Sequence, residues 1–264
     1  MTTLATRTVG DRGPHVVLLH GLFGQGKNFA TTASRLAATG HRVTTVDLPN
    51  HGHSDWTPTQ DYGAMAADVA ELLTGSGAPV VLVGHSMGGK VAMTLALRRP
   101  ELLRALVVVD IAPVDYPPER PGSPFARYIA AMQAIDVDAL RTRGEADAAL
   151  TEAVPEPAVR GFLLQSLVRD GDGWRWRLNL DVLRRALDGL VRFPEPGPGA
   201  VFDGPVLWIS GAESGYVRPE DRPRMDTLFP QTRLVRVKGA GHWVHSEQLA
   251  VFVDVLTRFV DAVS

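Results

Sequence analysis

Gly84-His85-Ser86-Met87-Gly88 separates two stretches of opposite character, and it constrains the fold more tightly than any other part of the chain. Val80-Val81-Leu82-Val83 before it is short, apolar and β-branched, the pattern of a buried strand. Gly89-Lys90-Val91-Ala92-Met93-Thr94-Leu95-Ala96-Leu97 after it reads as a helix. A serine at such a junction sits on a sharp turn with its hydroxyl held clear of the backbone. A side chain at either flanking glycine would collide with the neighbouring elements. The spacing is that of a nucleophile elbow, with Ser86 placed for acyl transfer through a serine ester.

The rest of the chain repeats strand and helix in turn. Strands are expected at Val16–Leu19, Arg42–Val46, Val80–Val83, Leu106–Val109, Pro205–Ile209 and Leu234–Val237. Helical patterns are expected at Asn28–Thr39, Tyr62–Leu73, Met87–Arg98 and Glu247–Val260. That alternation predicts an α/β fold, a mostly parallel sheet with helices on both faces. The near-continuous apolar strands agree, because such strands are buried on both sides.

The alternation stops between residues 113 and 204. Prolines 113, 117, 118, 121 and 124 open this span, and prolines 194, 196 and 198 close it. Helices are expected at Phe125–Ile135, Val137–Arg143 and Ala158–Leu167. A turn at Asp170-Gly171-Asp172-Gly173 leads into Trp174–Leu178, which alternates like a short strand. The chain therefore divides into a core, 1–112 with 205–264, and a mainly helical cap insertion, 113–204, over the carboxyl edge of the sheet.

With 264 residues, 45% hydrophobic and 21% charged, the chain suits one globular α/β domain with an insertion. A formal net charge of −2 gives no electrostatic case for nucleic acid or an anionic membrane, and Lys90 and Lys238 count as scattered charges. The absence of cysteine excludes disulfides, thiolate metal sites and cysteine nucleophiles, and fits a cytoplasmic protein. The apolar runs are strand-sized, so no membrane insertion is expected. Oligomeric state is not readable.

In an open parallel sheet, ligands collect at the carboxyl ends of the strands, and the chemistry-bearing residues of this chain follow strand ends. Ser86 needs a base within hydrogen-bond reach. Of eight histidines, His242 is favoured, because it lies in the loop after Gly239-Ala240-Gly241; His245 competes. His85 is set aside, because its side chain should point elsewhere on the elbow. Two acids compete to orient the base: Asp110, at a strand terminus, and Glu213, in the loop 210–217. Geometry favours Asp110, which could instead cap the loop before Pro113. Ser214 would then be a hydrogen-bonding helper.

The tetrahedral oxyanion needs two backbone donors. The amide of Met87, at a helix start, is one. The amide of Leu22 is the other, with Phe23 as its substitute. Phe23, Tyr216 and Trp243 are candidate walls of an acyl pocket, or plain core. Gly24-Gln25-Gly26-Lys27-Asn28 lacks the spacing of a nucleotide-binding Walker loop. His51 and His53 have no third ligand at a metal spacing, so the loop from Asp47 to Ser54 reads as structural, held by those two residues. No metal or cofactor is expected.

These stretches together resemble the α/β-hydrolase superfamily over nearly the full length. More narrowly, the chain resembles YbfF-like esterases and their mitochondrial ABHD-type relatives. The resemblance rests on His20-Gly21-Leu22-Phe23-Gly24, Asn50-His51-Gly52, Val109-Asp110-Ile111-Ala112-Pro113, Trp176-Arg177-Leu178-Asn179-Leu180 and Gly241-His242-Trp243-Val244-His245. It implies a serine esterase for short- to medium-chain acyl esters, extending to acyl thioesters, with a small-molecule ester as its partner. It also implies that the acid precedes Ile111, which supports Asp110. In that subfamily a serine stands where most relatives carry the aspartate, and Ser214 matches it. Ala212 and Glu213 depart from the subfamily's usual Gly and Asn, leaving a local role for Glu213 open. The rival readings are a lyase or C–C bond hydrolase on the same residues, and a ligand receptor of the same fold without turnover.

Overall fold

The computed structural model describes residues 2–116 and 124–264. Prolines 117, 118 and 121 of the expected proline cluster lie outside the described residues. The first half of the chain forms β1 (Thr6–Val9), β2 (His15–Leu19), α1 (Ala30–Ala38), β3 (Arg42–Val46), α2 (Tyr62–Thr74), β4 (Val80–His85), α3 (Met87–Arg98) and β5 (Leu103–Val109). The next stretch forms α4 (Phe125–Gln133), α5 (Arg143–Leu150), α6 (Pro157–Leu163), β6 (Leu167–Asp170), β7 (Gly173–Trp176) and α7 (Leu180–Leu190). The chain ends with β8 (Val206–Gly211), α8 (Arg222–Leu228), β9 (Thr232–Val237), α9 (Val244–Glu247) and α10 (Leu249–Ala262).

Seven strands build one sheet in the order β1-β3-β2-β4-β5-β8-β9. All neighbours are parallel except β1, which runs antiparallel to β3. Alternate residues of the central strands serve opposite faces. Val17, Leu19, Leu82, Val108 and Trp208 pack with α2, α3 and α8. Val16, Leu18, Val83, Val107 and Ile209 pack with α1 and α10. Full burial of each such aliphatic side chain stabilises the fold by roughly 1.5–3 kcal/mol.

Strands β5 and β8 are hydrogen-bonded neighbours, yet α4 to α7 and the β6–β7 hairpin lie between them in sequence. This intervening segment has its own apolar cluster, around Tyr128, Ile129, Met132, Leu163, Leu167 and Leu183, and Phe23 of the core joins it. Two polar ties fix it further. Lys90, on α3, is fully buried and donates from Nζ to the carbonyls of Val191 (3.0 Å) and Arg192 (2.6 Å), beyond the C-terminus of α7. Asn179 donates from its backbone N (3.1 Å) to the Asn50 carbonyl and from Nδ2 (2.9 Å) to Asn50 Oδ1.

Several elements differ from the sequence reading. β1 was not expected, because Thr6-Arg7-Thr8-Val9 is a polar edge strand, held by its register on β3 and by the Thr8–Thr44 hydroxyl pair at 2.8 Å. The expected helix Val137–Arg143 is replaced by α5, which starts where Thr142 caps it; Thr142 Oγ1 accepts from Glu145 N, and Glu145 reaches back to the backbone N of Thr142. The first helix starts at Ala30, after a 3-10 turn at Gly26–Phe29, and the expected C-terminal helix is split into α9 and α10. The helix expected at Ala158–Leu167 is α6 followed by a 3-10 turn at Leu164–Ser166. Helices α7 and α8 were unforeseen. Lys90, counted as a scattered charge, is a buried tether. Among the described residues no helix is long and apolar enough to cross a membrane.

Candidate active site

Ser86 follows β4 directly and precedes α3, with φ 52° and ψ −117°. A positive φ on a serine is strained and persists only where the surroundings dictate it. They do so through the two glycines. A Cβ on Gly84 would lie 2.2 Å from the Gly88 carbonyl oxygen, and one on Gly88 would lie 2.5 Å from the carbonyl oxygens of Leu19 and His20. Helix α3 starts at Met87, so the free amides of its first turn sit beside Ser86.

The chain folds back so that β5 delivers Asp110, β8 and its loop deliver the donors Gly211 and Ser214, and the loop after β9 delivers His242. Asp110, immediately after β5, is fully buried and also has a positive φ, 51°. Three donors meet on its carboxylate. Gly211 N reaches Oδ1 at 3.0 Å, while Ser214 Oγ (2.5 Å) and His242 Nδ1 (2.8 Å) share Oδ2. With Nδ1 engaged, Nε2 is the ring nitrogen of His242 left for proton exchange. Ser86 and His242 line the same cavity, of about 160 Å³. Glu213, the competing acid, is exposed and its backbone N donates to the Ala240 carbonyl at 3.0 Å.

The imidazole of His242 is stacked on Tyr216, with ring centroids 4.1 Å apart and planes inclined by 27°. The Tyr216 carbonyl accepts from Tyr116 Oη at 2.6 Å, and its amide donates to Ser214 Oγ at 3.2 Å. His85 also lies against His242. Its Nε2 donates to the His242 carbonyl at 2.9 Å, and its ring centroid is 4.7 Å from that of His242. Burial, then the imidazoles of His245 and His242, hold His85 well below the usual histidine range, so it stays neutral. His245, the rival base, is buried between Phe29 and His85 (centroids 4.6 Å from each), and burial lowers it to about 3. It makes no bond to an acid, and its Nδ1 has no hydrogen-bond partner among the described residues.

The second wall comes from the turn after β2. Gly24 N bonds the Gly21 carbonyl at 2.9 Å, placing Leu22 and Phe23 at the tip. Gly21 passes so near the elbow that a Cβ there would meet Ser86 Cβ at 3.2 Å. The Phe23 amide points to His51 Nε2, at 3.3 Å, so it is already engaged. Two buried histidines hold this turn. His20 donates from Nδ1 to the Gly21 carbonyl and accepts from Leu48 N, at 2.8 and 2.9 Å. His51 donates from Nδ1 to the Pro49 carbonyl at 2.8 Å. Burial lowers His20 to about 4 and His51 to about 3, which leaves each the single ring proton this bonding needs. Asp47 and Ser54 hold the neighbouring loop: Asp47 accepts from Gly26 N (2.6 Å) and His53 N (2.8 Å), and Ser54 Oγ donates to the Asp47 carbonyl (2.5 Å).

Leu22, Phe23, Tyr216 and Trp243 all line the cavity at Ser86, joined by Phe125, Tyr128 and Phe162 of the intervening segment. Phe23 packs edge-on against Phe125, with centroids 6.0 Å apart, and Trp243 lies tilted against Phe162, with centroids 5.8 Å apart.

Known proteins share this architecture. A mouse sn-1-specific diacylglycerol lipase, ABHD11, is 44% identical over 253 residues, covering 94% of this chain and 81% of the lipase. Esterase YbfF of Escherichia coli K12 is 36% identical over 247 residues, covering 93% of this chain and 92% of the esterase. The solved structure of a marine microorganism esterase superposes with a TM-score of 0.94 at 32% identity, covering 98% of this chain and all (100%) of the other. The sequence pattern of the alpha/beta hydrolase fold matches residues 14–249, and the chain belongs to that family.

Proposed function

We propose that this chain is a carboxylic ester hydrolase that works through an acyl-enzyme on Ser86. The observation that carries the reading is the Asp110–His242 pair at 2.8 Å, with His242 and Ser86 on one cavity. Ser86 Oγ attacks the ester carbonyl carbon while His242 Nε2 takes its proton. Asp110 holds the imidazole in the tautomer with Nδ1–H and stabilises the imidazolium. The amides of Leu22 and Met87 receive the oxyanion; the engagement of Phe23 N by His51 supports Leu22. The alcohol leaves with the proton from His242, and the same nitrogen then activates water to release the acid.

Residues 113–204 act as a cap that closes the pocket with Phe125, Tyr128 and Phe162, alongside Phe23, Tyr216 and Trp243. The apolar lining suits a hydrocarbon acyl chain. Its volume, about 160 Å³, falls below the range of roughly 300–1,000 Å³ for drug-sized ligands, and so favours short to medium acyl groups. Thioesters present the same carbonyl and fit the same pocket.

The test is a p-nitrophenyl ester series from acetate to dodecanoate, with wild type and Ser86→Ala. Turnover should peak at short or medium chains and vanish in Ser86→Ala. A protein built for lyase or C–C bond chemistry would turn over the whole series poorly. A fold retained for ligand binding alone would turn over none.

A further inference from the structure

We propose that the seam between core and cap holds a second ligand site, for the phosphate dianion of a small phosphorylated molecule or of free phosphate. A groove of about 580 Å³ runs there and shares no lining residue with the cavity at Ser86. Four cations line it: Arg7 of β1 and Lys27 of the loop before α1, from the core, face Arg143 of α5 and Arg177, next to β7, from the cap. None of the four pairs with a carboxylate among the described residues. In a chain of net charge −2, such a cluster is not a consequence of overall composition.

Arg177 is the distinctive member. Its Nε is buried and has no hydrogen-bond partner among the described residues. Its terminal nitrogens likewise carry no hydrogen bond among the described residues, and an anion in the groove supplies them with acceptors. Arg177 belongs to the stretch Trp176–Leu180, which the reaction at Ser86 does not use. Arg143 spends Nη2 on the Leu167 carbonyl at 2.8 Å, and its remaining donors are open to a ligand. The one carboxylate in the groove, Asp47, is turned to the amides of Gly26 and His53, and His53 Nδ1 sits 3.5 Å from it.

Two pairs of like charges, carried by separate parts of the fold, line one groove, and an anion between them would be attracted by both. Guanidinium and phosphate match as bidentate partners. The seam is otherwise bridged by polar contacts to Gln165, from Asn28 Nδ2 (2.8 Å) and Gln25 Nε2 (3.4 Å), within the loop that follows Leu22 and Phe23. A bound phosphate would therefore clamp the cap against the loop that shapes the Ser86 pocket. Binding itself requires nothing of Ser86.

Calorimetric titration of the whole protein with inorganic phosphate and with glycerol 3-phosphate, at constant ionic strength, tests this. Saturable binding is expected, weakened about tenfold by Arg177→Met and by Lys27→Ala. Lys27 is exposed, so Lys27→Ala keeps the test decisive should Arg177→Met fail to fold. Tighter binding of glycerol 3-phosphate would identify an organic monoester as the ligand, and tighter inorganic phosphate the free ion. Absence of saturable binding by both, or binding that Lys27→Ala leaves unchanged, overturns the proposal.

Discussion

Ser214 Oγ lies 2.5 Å from Asp110 Oδ2, the same oxygen that accepts from His242 Nδ1. The serine therefore supports the acid without replacing it, and its own oxygen is oriented by the amide of Tyr216 at 3.2 Å. A hydrogen bond to a charged group contributes about 1.5–3 kcal/mol. Ser214→Ala should lower kcat by about tenfold and leave KM within about twofold. Steady-state kinetics on a p-nitrophenyl ester checks this; an unchanged kcat would show that the bond is incidental.

Asp110→Asn keeps the shape and removes the charge. An amide oxygen facing Ser214 and His242 turns the NH2 onto the Gly211 amide, donor against donor, while the flipped amide presents a donor to Nδ1 and favours the wrong imidazole tautomer. A loss of about 10⁴ in kcat is expected. Glu213→Gln should change kcat less than about twofold, since surface substitutions away from special features have small effects. The opposite ranking would move the acid to the loop after β8.

Tyr216 lies flat on the imidazole that becomes cationic in the transition state. An aromatic face contributes about 0.5–1 kcal/mol to a neighbouring cation at an exposed site. Tyr216→Leu should reduce kcat about two- to fivefold while urea denaturation stays near wild type. A loss confined to KM would reduce Tyr216 to a pocket wall.

The buried histidines make stability depend on pH. His20, His51 and His245 are lowered to about 4, 3 and 3, and His85 is lowered too, burial being the leading cause in each case. Unfolded, each takes up a proton near pH 6.5. Between that pH and about 4 the unfolded chain binds more protons, so stability is full above pH 6.5 and falls as the solution is acidified. Urea midpoints measured from pH 7.5 to 4 should drop steadily. In His245→Phe the drop should be shallower by about one proton's worth of slope. A flat profile would contradict the burial of these rings as neutral groups.

Lys90 Nζ holds the Val191 and Arg192 carbonyls below the end of α7. Lys90→Met leaves both without that donor and should cost about 2 kcal/mol of stability. Proteolysis within residues 124–204 should also quicken, because this segment loses one of its two polar ties. Equal protease lifetimes would argue that the apolar cluster and the Asn179–Asn50 contacts seat the segment without Lys90.

The elbow was legible because its determinants are local: two glycines, a serine, an apolar run before and a helix after. The Asp110–His242 pair spans 132 positions and was legible through the rule that ligands gather at strand ends, through the loop that carries His242, and through the resemblance that places the acid before Ile111. β1 was hidden because three of its four residues are exposed, so it carries no apolar signature. The Thr142–Glu145 capping box that starts α5 is written in the sequence, where it marks a helix beginning at Arg143 and not one ending there. Lys90 was unreadable because its partners are backbone carbonyls about a hundred positions away, which leave no mark of residue type. The same holds for His85, whose acceptor is the carbonyl of His242.

The most direct test is mass spectrometry of the intact protein and its peptides after reaction with a fluorophosphonate. A single adduct on Ser86 is predicted, slowed strongly in His242→Ala and absent in Ser86→Ala. Ester turnover that continues with Ser86 unlabelled, or an adduct on another residue, would contradict a nucleophile at the elbow.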